Sequence, residues 1–361
     1  MSRTILITAG GTGGHVFPGL AVAEVMRAAG WRVVWLGART GMEAQLVPAR
    51  GYEMAWVRAS ALRGKGLLAA ALLPVNLLIG FWQSARAILA HRPDVVLGLG
   101  GYVAFPGGMM ASLLARPLAV HEQNAVPGLT NRILAAVADR IFVAFPGTLK
   151  NAEWTGNPVR AEIAGLAIPE DRFAGRSGPL RLLVVGGSLG AKALNEALPP
   201  ALAQMAPGER PRVVHQSGAA HLASVRAAYA AASVEAELLA FIDDMAQRYA
   251  EADLVLCRAG AITIAELSAG GMASVLVPFP HAVDDHQTAN ARFLAERGAA
   301  VLLPQPELTP DRLAALLRSL DRARLLAMAR KARALGKPVA ARVVAERCMQ
   351  LAEGQPGRAA A

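Results

Sequence analysis

The sequence has little cysteine and few aromatic residues, and both shortages exclude classes of site. Cys257 and Cys348 are the two cysteines among 361 residues, and they lie far apart in the chain. This predicts neither a disulfide framework nor a cysteine metal centre, and it is typical of a protein of the reducing cytoplasm. Aromatic residues make up 5% of the chain, and lysine and arginine are scattered. Because nucleic-acid surfaces usually combine a basic stripe with aromatic side chains, we expect no nucleic-acid partner despite the net charge of +10.

The chain also lacks an Asp-x-Asp triplet that could hold a divalent metal. Its acidic pairs, Asp243 with Asp244 and Asp284 with Asp285, are adjacent in sequence. Neighbouring side chains point apart in a strand and diverge on a helix, so neither pair is arranged to share a metal ion. We therefore expect no metal and no other cofactor.

A long uninterrupted hydrophobic run is missing as well. Residues 66–82 (GLLAAALLPVNLLIGFW) are the most apolar stretch, but Pro74 and Asn76 interrupt it. A membrane-spanning helix needs roughly 20 apolar residues, so this stretch is not expected to span a membrane. Two interpretations stay open: a pair of core helices packed on a sheet, or an exposed apolar patch with a basic rim in the membrane interface. The positive net charge favours an anionic lipid surface as the partner.

Glycine is abundant, and two short turns are rich in it. AGGTGGH at residues 9–15 and VGGSLGA at residues 185–191 each follow an apolar run typical of a buried strand and precede a helical pattern. Neither turn fits the dinucleotide fingerprint or the P-loop. Glycine lets the backbone approach a ligand, and the first N–H groups of a helix bind anions, so both turns predict contact with a diphosphate.

Strand and helix patterns alternate along the whole chain, which predicts an α/β protein with two doubly wound, Rossmann-like domains that face a central cleft. We expect an N-terminal domain over 1–156, a C-terminal domain over 157–352 whose last helix could pack back on the first domain, and a flexible tail over 353–361. The predicted strands are 4–8, 32–36, 54–57, 95–97, 118–122 and 140–143 in the first half, and 180–185, 212–216, 236–241, 254–257, 274–277 and 300–303 in the second.

Three further polar or glycine-rich clusters follow predicted strands. They are GLGGYVAFP at 98–106, HEQNAVPG at 121–128, and CRAGAITIAE at 257–266 with the downstream PFPH and DDHQTAN segments. Open α/β sheets bind ligands at the carboxyl ends of their strands, so these clusters predict the binding site.

Seven motifs together resemble one known family. GGTGGHVFP, GGYVAFP, HEQNAVPG, GNPVR, GGSLGA, CRAGAITIAEL and PFPHAVDDHQTANA occur in its order and approximate spacing. The chain is similar, over nearly its whole length, to bacterial transferases that move N-acetylglucosamine from its UDP derivative to lipid-linked N-acetylmuramyl-pentapeptide (lipid I), which yields lipid II for peptidoglycan synthesis. The resemblance implies a glycosyltransferase fold of the B type, with the donor held chiefly by the C-terminal domain.

The resemblance also implies roles for individual residues. In the donor site, Ser188 and the surrounding glycines meet the diphosphate, Arg160 adds positive charge, Ile242 flanks the uracil and Glu266 accepts hydrogen bonds from the ribose. The helix start formed by Ala261, Ile262, Thr263, Ile264 and Ala265 lies beside the phosphates, and Gln287 and Asn290 hold the sugar hydroxyls. On the acceptor side, Thr12, Gly13, Gly14 and Asn124 close over the reacting groups, and Gly100, Gly101 and Tyr102 bind the acceptor.

Transfer from a nucleotide sugar requires a base for the acceptor hydroxyl and stabilisation of the departing UDP. His15 is the first candidate for the base because it lies at the tip of a glycine turn and titrates near neutral pH. Glu122 is the rival, and a shared or substrate-assisted arrangement is a third possibility. Direct attack with one base predicts inversion at the sugar carbon.

The expected partners are UDP-N-acetylglucosamine, the lipid-linked acceptor, an anionic membrane surface and proteins of cell-wall synthesis and division. The expected location is the cytoplasmic face of the bacterial inner membrane, as a peripheral protein. Two alternatives stay open: a UDP-sugar transferase that acts on another glycolipid or natural product, and a non-enzymatic module for nucleotide binding or membrane recruitment.

Overall fold

The computed structural model describes residues 2–58, 73–187 and 189–354, with the side chains of Leu73 and Val283 excepted. The chain divides into two compact units. The first comprises the chain up to Arg160 together with the segment that begins at Val339, and the second is Ala161–Pro338. Ser188 and residues 66–72 of the apolar stretch at 66–82 therefore lie outside the described residues.

The described part of the first unit is a parallel sheet of seven strands in the order β3-β2-β1-β4-β5-β6-β7. The strands are β1 (Thr4–Thr8), β2 (Arg32–Gly37), β3 (Glu53–Trp56), β4 (Val95–Gly98), β5 (Leu118–Glu122), β6 (Arg140–Val143) and β7 (Glu153–Trp154). The helices are α1 (Gly13–Ala28), α2 (Glu43–Leu46), α3 (Leu73–His91), α4 (Ala104–Leu113) and α5 (Leu129–Leu134), with a 3₁₀ turn at Pro48–Arg50. Every residue of β1 is buried, as expected for a central parallel strand covered on both faces.

The described part of the second unit repeats this architecture with six parallel strands in the order β10-β9-β8-β11-β12-β13. They are β8 (Arg181–Val185), β9 (Arg212–Gln216), β10 (Glu237–Leu239), β11 (Leu254–Cys257), β12 (Ser274–Leu276) and β13 (Val301–Leu302). The helices are α6 (Ala161–Ala164), α7 (Pro169–Phe173), α8 (Lys192–Ala203), α9 (Leu222–Ala231), α10 (Met245–Glu251), α11 (Ala261–Gly270), α12 (His286–Ala295), α13 (Pro310–Arg318) and α14 (Arg322–Leu335). The predicted class of two doubly wound α/β units is confirmed.

The last helix, α15 (Ala340–Glu353), belongs to the first unit although it follows the second in sequence. It packs against α1 and β4. Val344, Ala345 and Cys348 are fully buried in the same cluster as strand residues such as Ile5 and Leu97. The core of the first unit is therefore built from both ends of the chain.

Among the described residues, no helix is long and apolar enough to cross a membrane. Residues 73–82 of the apolar stretch form the first half of α3. That helix is neither wholly buried nor wholly exposed. Val75, Leu78 and Trp82 are exposed, whereas Ile88 is completely buried and the Phe81 ring meets the Phe105 ring of α4 edge to face at 5.7 Å.

Candidate functional site

In each sheet, the order of the strands reverses beside the strand that precedes a glycine turn. In the first unit this point lies between β1 and β4, and in the second between β8 and β11. The loops at the carboxyl ends of these strands are the glycine-rich and polar clusters predicted from the sequence. Such a switch point is where doubly wound sheets bind their ligands.

The first glycine turn joins β1 to α1. Gly11 has a left-handed backbone with φ of 92°, and its N–H donates to Oε2 of Glu43 at 3.0 Å. The other carboxylate oxygen of Glu43 accepts from the N–H of Ala38 at 3.0 Å, and Glu43 is completely buried. This glutamate, which is not among the predicted site residues, holds the turn through these hydrogen bonds.

His15 lies at the start of α1, with its Nδ1 3.4 Å from the hydroxyl oxygen of Thr12. The loop after β4 closes against it. Gly100 has a φ of 94°, and a Cβ there would lie 3.2 Å from the His15 ring and from Nδ2 of Asn131. Only glycine allows this approach, so the His15 imidazole and the Asn131 amide flank one backbone position. A Cβ on Gly101 would overlap the carbonyl oxygen of Gly10, so the two glycine loops of this unit also pack directly on each other.

Glu122, at the end of β5, is buried and accepts several hydrogen bonds. Its Oε1 accepts from the N–H of Asn124 at 2.9 Å, and its Oε2 accepts from the N–H of Gly128 at 3.1 Å and from Nδ2 of Asn131 at 2.9 Å. Burial raises the pKa of Glu122, and these donors oppose the rise. The carboxylate therefore closes the loop over 122–128 and is already engaged with protein donors.

The neighbouring His121 is buried and held at both ring nitrogens. Its Nε2 donates to the carbonyl oxygen of Gly156 at 2.9 Å, which leaves Nδ1 to accept from Nε2 of Gln123 at 3.3 Å. Burial lowers the pKa of His121 to about 4, so the imidazole is neutral near pH 7. His121 thus ties the HEQN segment to the GNPVR segment.

Tyr102 lies beside the first glycine turn. Its ring would be 3.2 Å from a Cβ on Gly11. Burial and the nearby Glu43 raise the pKa of the phenol. His15, Gly100, Tyr102, Glu122 and Asn124, all predicted, are therefore brought to one edge of the first sheet by the loops after β1, β4 and β5.

The second unit contains a cavity of about 630 Å³ at its own switch point. Among its lining residues are Gly187, Gly190, Lys192, Arg258, Thr263 and Gln287. Gly260 and Thr263 place the N-terminus of α11, the positive end of its dipole, at this cavity. The cavity wall thus combines a glycine turn, a helix N-terminus, Arg258 and Lys192, although Lys192 lies 3.7 Å from the carboxylate of Glu196, which also lines the cavity. The helix N-terminus and Arg258 suit an anionic ligand.

Arg258 lines the cavity and lies in the CRAGAITIAEL motif, although it is not among the predicted site residues. Its guanidinium donates to the carbonyl oxygens of Val277 and Pro278 at 3.1 and 3.2 Å, and to Oε1 of Gln305 at 2.7 Å. It also lies 5.5 Å from the centre of the Phe279 ring. Burial lowers the pKa of Arg258 from its ordinary value.

The side chain of Gln287 has a fixed orientation. Its Oε1 accepts from the N–H groups of Ala259 and Phe279 at 3.3 and 3.0 Å. This leaves the NH₂ group as the part that can donate toward the cavity. Asn290, predicted beside it, is completely buried, and its Nδ2 donates to the carbonyl oxygen of Ala259 at 3.3 Å.

The other predicted donor residues take different positions. Glu266 is buried on α11, where its Oε2 accepts from the Tyr249 hydroxyl at 3.3 Å, and Ile242 is buried in the loop after β10. Arg160 is the last residue of the first unit before the second begins. Ala261, Ile262, Ile264 and Ala265 belong to the same helix as Thr263.

Two family models match the chain, one for each unit. The N-terminal domain of glycosyltransferase family 28 matches residues 5–143, and the C-terminal domain matches residues 181–345. The chain belongs to glycosyltransferase family 28. The resemblance predicted from the seven motifs is confirmed.

Similar proteins match nearly the whole length of the chain. It is 66% identical over 353 residues to the "UDP-N-acetylglucosamine--N-acetylmuramyl-(pentapeptide) pyrophosphoryl-undecaprenol N-acetylglucosamine transferase" of Aromatoleum aromaticum, with 98% of this chain and 99% of the relative covered. It is 63% identical to the protein of the same name from Azoarcus sp. (strain BH72), with the same coverage.

Among solved structures, MurG of Acinetobacter baumannii superposes with a TM-score of 0.84 at 41% identity, covering 96% of this chain and 99% of that one. The calicheamicin glycosyltransferase CalG4 superposes with a TM-score of 0.67 at 17% identity, covering 99% and 100%, which shows a shared fold alone. The family 28 chain has the glycosyltransferase fold of the B type.

Proposed function

We propose that the chain transfers N-acetylglucosamine from UDP-N-acetylglucosamine to the C4 hydroxyl of undecaprenyl-diphospho-N-acetylmuramyl-pentapeptide, with inversion, to form lipid II. The observation that carries this proposal is the 66% identity, over almost the full length of both chains, to a transferase named for that donor and acceptor. The geometry of both units is consistent with it, because each presents a glycine turn at a switch point of its sheet.

The second unit supplies the donor site in this proposal. The N-terminus of α11 and the side chains of Arg258 and Lys192 border the cavity and would stabilise the negative charge that develops on departing UDP. Ser188 and Arg160 would add contacts to the nucleotide, Ile242 and Glu266 would meet the uridine, and Gln287 and Asn290 the sugar. Because fixed protein charges can supply this stabilisation, no metal ion is required.

The first unit supplies the base and the acceptor site. His15 is the proposed general base, since its half-buried imidazole lies at the tip of the turn, with Nδ1 3.4 Å from the Thr12 hydroxyl oxygen. The Glu122 carboxylate is buried and saturated with donors, so its proposed task is to hold the loop that carries Asn124. Thr12, Gly13 and Gly14, with Gly100, Gly101 and Tyr102, would contact the reacting groups and the acceptor.

A peripheral position on the cytoplasmic face of the inner membrane is part of the proposal. Val75, Leu78, Trp82 and Leu89 are exposed and recur at helical spacing, so they form one apolar face of α3 that we call the α3 stripe. The Arg86 guanidinium lies on the same helix, 5.8 Å from the Trp82 ring. An apolar face with basic neighbours suits an anionic lipid surface. Contacts with proteins of cell-wall synthesis and division complete the proposed set of partners.

The proposal is tested by a transfer assay with purified protein, a lipid-linked muramyl-pentapeptide acceptor and either UDP-N-acetylglucosamine or UDP-glucose. We expect turnover with the first donor and much less with the second, and the product to contain a β-linked disaccharide. A chelator added to the same assay is expected to leave the rate unchanged. Transfer to a different glycolipid offered in place of this acceptor, with none to the muramyl-pentapeptide lipid, would favour the related-transferase alternative. Binding of donor without any transfer would favour a non-enzymatic module.

A further inference from the structure

A chain of buried polar groups runs beneath the second glycine turn. The Tyr229 hydroxyl oxygen lies 3.0 Å from Nδ1 of His215, and Nε2 of His215 lies 3.0 Å from Oδ1 of Asn195. Nδ2 of Asn195 donates to the carbonyl oxygen of Ser217 at 3.1 Å. Each of these side chains is buried. This series of hydrogen bonds thus links α9, β9 and the first turn of α8 to the backbone at the end of β9.

The direction of each hydrogen bond follows from the last acceptor. A carbonyl oxygen only accepts, so Asn195 turns its NH₂ group to Ser217 and its Oδ1 to His215. His215 must therefore carry its proton on Nε2, and its Nδ1 accepts from the Tyr229 hydroxyl. Burial lowers the pKa of His215 to about 4, which keeps this neutral form at the pH of the cell.

The Ser217 carbonyl is the point where this chain meets the glycine turn. Gly190 has a φ of 77°, and a Cβ there would overlap the Ser217 oxygen. The neighbouring Gln216 donates from Nε2 to the carbonyl oxygen of Gly187 at 3.1 Å, and the N–H of Gly190 donates to the same oxygen at 2.9 Å. A shift of Ser217 would therefore move Gly190 directly, and both glycines line the cavity.

We propose that Tyr229, His215 and Asn195 form a positioning chain that holds Gly187 and Gly190 in the conformation that receives the donor diphosphate. These residues act through the backbone of Ser217 and do not touch the donor. The inference deepens the proposed function and rests on its assignment of the donor site. It predicts an effect on donor affinity that is separate from an effect on stability.

Two substitutions at His215 separate these effects. His215→Gln places an amide nitrogen near the position of Nε2 and can still donate to Asn195, whereas His215→Asn is too short to reach it. We expect the KM for UDP-N-acetylglucosamine to rise about tenfold in His215→Asn and less than about threefold in His215→Gln, with kcat and acceptor KM little changed in both. Both variants lose the ring, and His215→Asn also leaves the buried Oδ1 of Asn195 without its donor, so both melting temperatures are expected to fall, that of His215→Asn further.

The outcomes distinguish this inference from the function on which it rests. Calorimetric titration of UDP into the same preparations is expected to follow the donor KM. The inference would be overturned if donor KM rose equally in the two variants, or if each rise in donor KM were only proportional to the fall in melting temperature. Tyr229, His215 and Asn195 would then have a structural role alone. Wild-type protein that failed to bind UDP would instead overturn the proposed donor site.

Discussion

At the scale of single residues, the first unit uses buried carboxylates as acceptors for backbone N–H groups. Glu43 fixes the turn that contains Gly11, and Glu122 closes the loop that begins at Asn124. Leaving these partly buried N–H groups without an acceptor would be costly, so the two side chains stabilise the loops to which they bond. The backbone beside His15 is therefore held before any substrate arrives.

The base assignment predicts different results for two substitutions. We expect His15→Ala to lower kcat about 10²-fold or more while UDP binding is retained, because the imidazole acts only in the chemical step. Glu122→Gln keeps the shape but replaces one acceptor with a donor, so we expect it to lower the melting temperature and to loosen the loop. Steady-state kinetics and thermal unfolding of both variants provide the measurement. Near-normal turnover in His15→Ala would move the role of base to Glu122 or to the substrate.

The sequence predicts where part of the candidate site lies, while the roles of its residues stay predictions. His15, Gly100 and Gln287 each belong to a short motif that follows a strand, and the structure places each of them beside a glycine turn or its cavity. Glu43 and His215 were not selected, since their partners are distant in sequence or are backbone atoms. Glu43 bonds Gly11, which is 32 residues away, and His215 bonds Asn195, which is 20 residues away. A contact of this kind becomes visible only when the chain is folded.

At the scale of elements, the parallel strands were the most predictable part. All twelve predicted strands exist with ends within two residues of their observed positions. The central ones, such as β1, β4 and β11, are buried along their whole length and are therefore short continuous apolar runs. The strand β7 was not predicted, because its two residues, Glu153 and Trp154, form no such run. For the apolar stretch of residues 66–82, the sequence leaves open whether the residues are buried or exposed. An apolar run alone does not show which face of a helix is covered.

Substitutions on the two faces of α3 are expected to affect different properties, membrane binding on one face and stability on the other. Trp82→Ser and Leu78→Ser remove exposed apolar groups from the α3 stripe, so we expect weaker binding to vesicles that contain anionic lipid, with little change in melting temperature. Phe81→Ala is the matched control on the same helix: it removes the ring packed against Phe105 and is expected to lower stability by about 2 to 4 kcal/mol with less effect on vesicle binding. Vesicle sedimentation and thermal unfolding distinguish the two. Unchanged sedimentation of the Leu78 and Trp82 variants would contradict the membrane role of the stripe.

At the scale of the whole molecule, each unit carries a buried neutral histidine. His121 lies in the first unit and His215 in the second, and burial lowers the pKa of both to about 4. In the unfolded chain a histidine has a pKa of about 6.5, so between these values the unfolded state binds more protons than the folded state. The contribution of each neutral histidine to the free energy of unfolding is therefore fully present above pH 6.5 and is lost as the pH falls toward 4.

This linkage predicts acid sensitivity at mildly acidic pH. From the shift, each histidine accounts for up to about 3 kcal/mol of unfolding free energy between pH 7 and pH 4. Urea unfolding of the wild type and of His215→Gln at pH 7 and pH 5 measures the effect. We expect the variant to lose less stability than the wild type over this interval. Equal losses would show that His215 does not titrate as proposed.

The position of α15 also affects how the molecule is made. Val344, Ala345 and Cys348 complete the core that β1 begins, yet the ribosome synthesises them after the entire second unit. At about 5 to 20 residues per second, roughly 10 to 40 s pass between the synthesis of Arg160 and that of Val339. During this interval the second unit is synthesised, while the nascent first unit still exposes the apolar surface that α15 later covers. Vectorial synthesis thus gives the order of maturation: the unit that starts first finishes last.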